Sequence, residues 1–173
     1  QAQTGHRERL AVDPASEADD VFARRGWEGI GAEIMGAGKF GPPGWQDDPD
    51  WTGWWGTNPP FHSPVFVLTH QPRVDLVMEG GTTFHFVDAA PHDVLRLAID
   101  AADGLDVRLG GGPSSIREFI SAGLVDHLHV AVVPIVLGRG VSLWQGLEGF
   151  QDEYQTISQT TPSGVTHITF TRG

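Results

Sequence analysis

The chain has no cysteine, which excludes disulfides and thiolate zinc sites and points to the reducing cytoplasm. Basic residues are scarce too: eleven Lys and Arg stand against twenty-two Asp and Glu, a formal charge of -11. Such a surface repels nucleic acid and anionic membrane, so a phosphate-bearing ligand needs cations gathered locally. No apolar run approaches the roughly 20 residues of a membrane span, and the opening residues show no signal-peptide pattern. Internal repeats and long low-complexity tracts are missing as well. What these absences leave is one domain of 173 residues, long enough to bury a core without metal or disulfide staples.

What is present is organised around Asp106–Gly138, DVRLGGGPSSIREFISAGLVDHLHVAVVPIVLG. It reads as a short strand ending in Gly110, Gly111 and Gly112, an amphipathic helix, an Ala-Gly stop and a second, longer apolar strand. Glycine takes backbone conformations closed to residues with a Cβ and lets another molecule approach the main chain closely. Pro113 suits a first helical turn, where its missing N–H would have had no partner, and Ser114 and Ser115 add small oxygen-bearing side chains. Ile116, Phe119 and Ile120 share one helix face, and Gly123 stands where a C-terminal cap belongs. A helix opening beside such a turn offers free N–H groups and a positive dipole end to a phosphate. Glycine clusters equally serve tight turns, and this one is neither a Walker loop nor G-x-G-x-x-G.

Along the rest of the chain, residues 1–14 are polar and unpatterned and read as a surface arm, with a single domain at 15–173. Ser16 with Glu17, Asp19 and Asp20 predicts a capped helix that carries Val21, Phe22 and Trp27 and ends near Gly29. Ala32–Met35, Val65–Thr69 and Phe84–Val87 read as strands. Asp93–Ala102 reads as a helix with Val94, Leu95, Leu97, Ala98 and Ile99 facing inward. Tyr154–Thr160 and Val165–Thr171 alternate polar and apolar residues across Pro162-Ser163-Gly164, a hairpin signature. Leu128–Val136 is long for an edge strand without a partner.

Two clusters leave alternatives open. The loop at 41–64 is rich in Pro, Gly and Trp, and a loop of that length inside a compact domain is functional or mobile. Its Trp45, Trp51, Trp54 and Trp55 offer flat surfaces to a planar ligand ring, or form a satellite core beneath the loop. His127 and His129, two apart on a strand, share one face; with no third ligand near in sequence they read as polar-face histidines rather than metal ligands.

Gly111-Gly112-Pro113-Ser114, Ala122–Asp126 and Val133–Gly138, together with Met35-Gly36, Val65–Thr69 and Gly80–Phe86, resemble the reductase domain of bacterial riboflavin biosynthesis. They resemble equally the wider dihydrofolate-reductase-like family, in order from about Gly31 onward. The resemblance implies an α/β fold of three layers, α/β/α, with a central mixed, mostly parallel sheet and a C-terminal β-hairpin. It implies an NADPH-dependent reductase that passes hydride to a small, planar heterocyclic or carbonyl substrate, working as a homodimer. The implied cofactor contacts are Met35, Gly36 and Lys39 after the first strand. Thr69, His70 and Arg73 follow at the end of the second, beside the adenine and 2′-phosphate. Gly110, Gly111, Gly112, Pro113, Ser114 and Ser115 complete the set at the pyrophosphate. At least one of Trp45, Trp51, Trp54 and Trp55 is expected in a substrate lid; no catalytic residue and no metal is assigned.

Three departures accompany the likeness. Ala37 stands where the family has the arginine of Met-Gly-Arg, leaving Lys39 to supply the charge without arginine's planar fork. Gly110 stands where riboflavin-pathway reductases carry an acid that binds the substrate's sugar, so a sister activity is expected rather than the riboflavin step itself. Nothing in Gln1–Asp20 resembles the strand ending in Leu-Asp-Gly with which family members ordinarily begin. Either an N-terminal segment is lacking or the chain departs from the family there. The alternative from a different class is a noncatalytic nucleotide-binding module that keeps the fold.

Overall fold

The computed structural model describes residues 14–173, so the expected arm at 1–14 lies, apart from Pro14, outside the described residues. α1 (Pro14–Arg25) leads into β1 (Ile30–Gly36), whose alternate side chains Ala32 and Ile34 on one face and Glu33 and Met35 on the other are all buried. A strand buried on both faces belongs in the middle of a layered α/β sheet. β1 is flanked by β2 (Pro64–Leu68) and by β5 (Asp106–Leu109), both parallel to it. Beyond β2 lie β4 (Thr83–Val87), also parallel, and the two-residue β3 (Leu76–Val77), antiparallel at the edge.

One face of this sheet is covered by α3 (Pro91–Ala101) and α4 (Pro113–Ser121), through Val94, Ala98 and Phe119 against Ala32, Ile34 and Phe66. Among the described residues, the other face has no long helix. Its Met35, Val65, Val67, Phe84 and Phe86 are closed off by the single-turn α2 (Ala37–Phe40) and the aromatic 41–64 loop, with Phe40 and Trp45 packed inward. The central sheet is mixed and mostly parallel, as expected, but one outer layer is built of aromatic loop rather than helix.

β6 (His127–Val132), β7 (Tyr154–Thr160) and β8 (Thr166–Arg172) form a separate antiparallel sheet in the order β6-β8-β7. The β7–β8 hairpin is the one expected, and Gly123, at a φ of +69°, ends α4 as expected. Four expectations need correction. The strand expected over Leu128–Val136 stops at Val132, before Pro134, which has no N–H to give a ladder; Ile135, Val136 and Leu137 are exposed. Because β6 pairs with β8 and not with β5, the Asp106–Gly138 unit does not continue the parallel sheet. α1 runs from Pro14 to Arg25, so Ser16 lies inside it and the helix ends short of Gly29. In α3, Leu97 and Ile99 are exposed, because a stripe through Val94 and Ala98 cannot hold all five apolar residues at 100° per residue. Among the described residues, no helix is long and apolar enough to cross a membrane.

Candidate functional site

β1, β2, β4 and β5 are parallel, so their carboxyl ends open on one side of the sheet. From neighbouring strands the chain then leaves toward opposite faces: β1 into α2 on the aromatic side, β5 through Gly110–Gly112 into α4 on the other. Open α/β sheets take ligands in the crevice that such a divergence creates. At this crevice the backbones come very close. A Cβ on Gly36 would lie 2.5 Å from the Ser115 hydroxyl oxygen, and one on Gly111 would lie 3.4 Å from the Gly36 nitrogen. Glycine at both positions is what lets the start of α4 lie against the end of β1. Gly112 precedes α4 without a side-chain cap and Pro113 occupies its first turn, so the amides opening the helix are not taken by a capping side chain.

Beside this turn stands an ion triad. Glu33 is 1 % exposed, and its Oε1 accepts from the Lys39 ammonium at 2.7 Å. Its Oε2 accepts from Arg108 Nε at 2.8 Å and from Arg108 Nη2. Arg108 also donates to the Gly26 carbonyl at 3.1 Å and lies under the Trp27 ring, 3.6 Å from its centroid. A buried carboxylate is tolerated only when paired in this way. Gly110 is pressed against the triad: a Cβ there would come 2.4 Å from Lys39 Nζ and 2.6 Å from Glu33 Oε1.

The chain that builds this crevice matches the family of the RibD C-terminal domain over residues 2–167. It belongs to that family. A 67-residue stretch is 36 % identical to the uncharacterized protein YyaP of Bacillus subtilis, covering 39 % of this chain and 36 % of YyaP's length. Among solved structures, a protein of Shewanella sp. PV-4 assigned to riboflavin biosynthesis is similar in fold at 23 % identity and a TM-score of 0.58, covering 95 % of this chain and 82 % of that one. A pyrimidine reductase-like protein of Corynebacterium diphtheriae gives 16 % and 0.53, with 93 % and 82 % covered. RibD of Acinetobacter baumannii gives 12 % and 0.55, with 98 % of this chain and 54 % of that one covered. These likenesses establish the RibD C-terminal domain fold, and the chain spans about half the length of the RibD structure.

Within this RibD C-terminal domain, the residues singled out from the sequence fall into two groups. Gly36, Gly110, Gly111, Ser115 and Lys39 are drawn together at the crevice, with Gly112, Pro113 and Ser114 opening α4; Met35 is fully buried in the aromatic-side core. At the end of β2, Thr69 is buried and its hydroxyl accepts from the Gln71 amide at 3.1 Å. His70 is almost wholly exposed, 3.0 Å from the Asp88 carboxylate. Arg73 is occupied elsewhere. Its guanidinium lies 4.6 Å over the Phe86 ring and 5.2 Å over Trp45, and donates to the carbonyls of Asp48 and Trp51.

The tryptophans divide likewise. Trp45 is buried with its Nε1 donating to the Ala37 carbonyl, Trp51 donates to the Phe40 carbonyl, and Trp55 packs on Phe61 and Phe84. These three form a satellite core. Trp54 meets Trp51 in a T-shaped contact and is 57 % exposed.

His127 and His129 go separate ways. His127 meets the Thr171 hydroxyl, whereas His129 Nε2 lies 2.9 Å from His167 Nδ1, and His167 Nε2 lies 2.9 Å from the Asp19 carboxylate. Phe22 of α1 stacks on both rings. Among the described residues, no group of three His, Cys, Asp or Glu is arranged to hold a metal. Sequence reasoning missed Glu33 and Arg108; the available signal was one acid inside the otherwise apolar IGAEIMG strand and one base in the strand beside it.

Proposed function

We propose that this RibD-like domain is an NADPH-dependent reductase that transfers hydride to a small, planar heterocyclic or carbonyl substrate. The observation that carries the reading is the meeting of Gly36 and Gly111 at the start of α4, where bare backbone and helix amides fit a diphosphate. Lys39 adds an ammonium beside it. When bound, the reduced nicotinamide supplies the hydride, and the protein's part is binding, orientation and exclusion of water. Gly36, Gly111 and the α4 amides seat the diphosphate; Thr69 and His70, at the end of β2, flank the adenosine; Trp54 is the tryptophan left free to close over a planar ring. The riboflavin-pathway and reductase-like names of the structural neighbours support the reaction class. Gly110 supports a substrate other than the riboflavin-pathway one, and a chain free of cysteine fits a cytoplasmic enzyme.

Calorimetric titration with NADPH and NADH tests the reading. Micromolar binding of NADPH, tighter than NADH, followed by loss of reduced-cofactor absorbance with members of a heterocycle and carbonyl panel, is the expected result. Failure to bind either cofactor removes it. Binding without turnover across the panel would instead favour the noncatalytic module. The same reading includes a homodimer: among the described residues β6 stands at the edge of its sheet, and the stretch that follows it exposes Val133, Ile135, Val136 and Leu137, an apolar surface suited to a second copy.

A further inference from the structure

The triad beside the glycine turn divides its charges unequally. Arg108 is fastened on three sides, by Glu33 Oε2, by the Gly26 carbonyl and by the Trp27 ring. Lys39 is held less firmly: of its three N–H donors one goes to Glu33, its ammonium lies 5.8 Å from the centroid of the Phe61 ring, and 31 % of its side chain is exposed. Its ammonium nevertheless has a definite place, because the hydrogen atom of Gly110 is all that separates that residue's Cα from Nζ. The cation thus lies against the first residue of the turn that leads into α4. Ala37, nearer the end of β1, carries no charge.

We infer that Glu33 is a positioning residue for anion recognition. It holds Lys39 over Gly110 so that the remaining N–H groups of the ammonium meet a diphosphate group seated on the Gly110–Gly112 turn. Arg108 keeps the carboxylate satisfied when Lys39 shares its charge with the ligand. The sign of this effect is unusual. A carboxylate close to an anion weakens binding by Coulomb repulsion alone, but here the triad carries one net positive charge. Fixing a flexible lysine stem in advance also spares the entropy of ordering it on binding. The inference rests on the glycine turn being an anion seat, which is part of the reductase reading above.

The experiment titrates the full chain with inorganic pyrophosphate and, separately, with NADPH. Lys39→Met is expected to weaken both about tenfold, the worth of one charge-assisted hydrogen bond, and Lys39→Arg to restore most of the loss. Glu33→Gln is expected to weaken pyrophosphate binding several-fold although it removes a negative charge beside the anion. Tighter binding in that variant overturns the positioning role. Gly110→Ala retains all three charged groups and puts a methyl group 2.4 Å from Nζ and 2.6 Å from Glu33 Oε1, displacing the ammonium, so it serves should Glu33→Gln fail to fold; it is expected to match Lys39→Met. Unchanged affinity in Lys39→Met, or in folded Gly110→Ala, overturns the inference, as does a chain that binds neither ligand. Lys39-dependent pyrophosphate binding without NADPH binding leaves the inference standing and removes the reductase reading. NADPH binding indifferent to Lys39 does the reverse.

Discussion

Glu33 and Arg108 are cross-strand neighbours in register on β1 and β5, and two guanidinium nitrogens converge on one carboxylate oxygen. Their charges are taken out of water together, and the pair ties the glycine turn's strand to the centre of the sheet. Removing one partner of a buried pair leaves the other uncompensated, a loss of about 3–5 kcal/mol. Arg108→Met is expected at the low end of that range, because Lys39 still faces the carboxylate. Urea unfolding midpoints compared at constant slope measure it; a change within about 0.5 kcal/mol of zero, the range of ordinary surface substitutions, would show that the pair does not stabilise the fold.

A Cβ at position 36 and the Ser115 hydroxyl cannot coexist at 2.5 Å. Gly36→Ala is expected to push the start of α4 off β1 and to weaken NADPH about tenfold or more. Ser115→Ala removes the colliding oxygen, leaving a Cβ at 3.7 Å, so the double variant is expected to recover part of the loss. The two effects are thereby non-additive. Strictly additive losses in calorimetry would place the damage elsewhere.

The docking of α1 on the small sheet carries a pH dependence. Hydrogen bonds from Ser163, Thr161 and His167 lower the Asp19 carboxyl from 3.8 to about 2. Burial, then the neighbouring His167 and His127, push His129 below the ordinary imidazole value of 6.5. A base whose pKa falls on folding binds more protons when unfolded, so its contribution is full above 6.5 and declines as the pH drops below that value. The Asp19 contribution is full above 3.8 and is lost as the pH falls toward 2. Two stages of acid destabilisation are therefore expected, and His129→Gln should flatten the first. Imidazole NMR shifts and urea midpoints followed downward from neutral pH report both; a midpoint unchanged between about pH 7 and about pH 5 would contradict the first stage.

Trp45 and Trp54 stand nine residues apart in one loop and are expected to behave oppositely. Trp45→Ala empties a site packed by Phe40 and Phe86 and should destabilise by about 3–5 kcal/mol. Trp54→Ala, at an exposed ring, should leave stability within about 0.5 kcal/mol and, if that ring covers substrate, raise KM. Equal unfolding midpoints for the two variants would reject this division.

For the apolar stretch after β6, Ile135→Lys with Val136→Glu is expected to convert a dimer at micromolar concentration into a monomer without loss of helical or strand signal. Light scattering reads the mass, and a monomeric mass for the unsubstituted chain would dismiss the second copy.

Much of the fold was legible because its signals are local. Glycine at 123, proline at 113 and the alternation across Pro162–Gly164 act within a few residues, and each produced the expected cap, helix start or hairpin. The turn at Gly110–Gly112 was legible from its glycines and Pro113, and the family likeness added the ligand expected there. The unread parts depend on partners far away in sequence. Whether Leu128–Val136 continues a sheet depends on β8, some forty residues later. Which of Leu97 and Val94 is buried depends on where α3 meets Ala32 and Ile34. Glu33 looked like one charge in an apolar strand until Lys39 and Arg108 came to it from an adjoining turn and a neighbouring strand. Arg73 shows the converse: its place in a turn suggests a phosphate contact, and only the folded chain reveals that its guanidinium also lies on the aromatic loop.

That last contact also couples two parts of the molecule. Arg73 belongs to the turn that ends β2, yet its guanidinium grips the carbonyls of Asp48 and Trp51 and lies over Trp45. The turn beside Thr69 and His70 and the loop that carries Trp54 are in effect two ends of one lever. A displacement of either one breaks the contacts of Arg73, so the turn and the tryptophan loop brace each other.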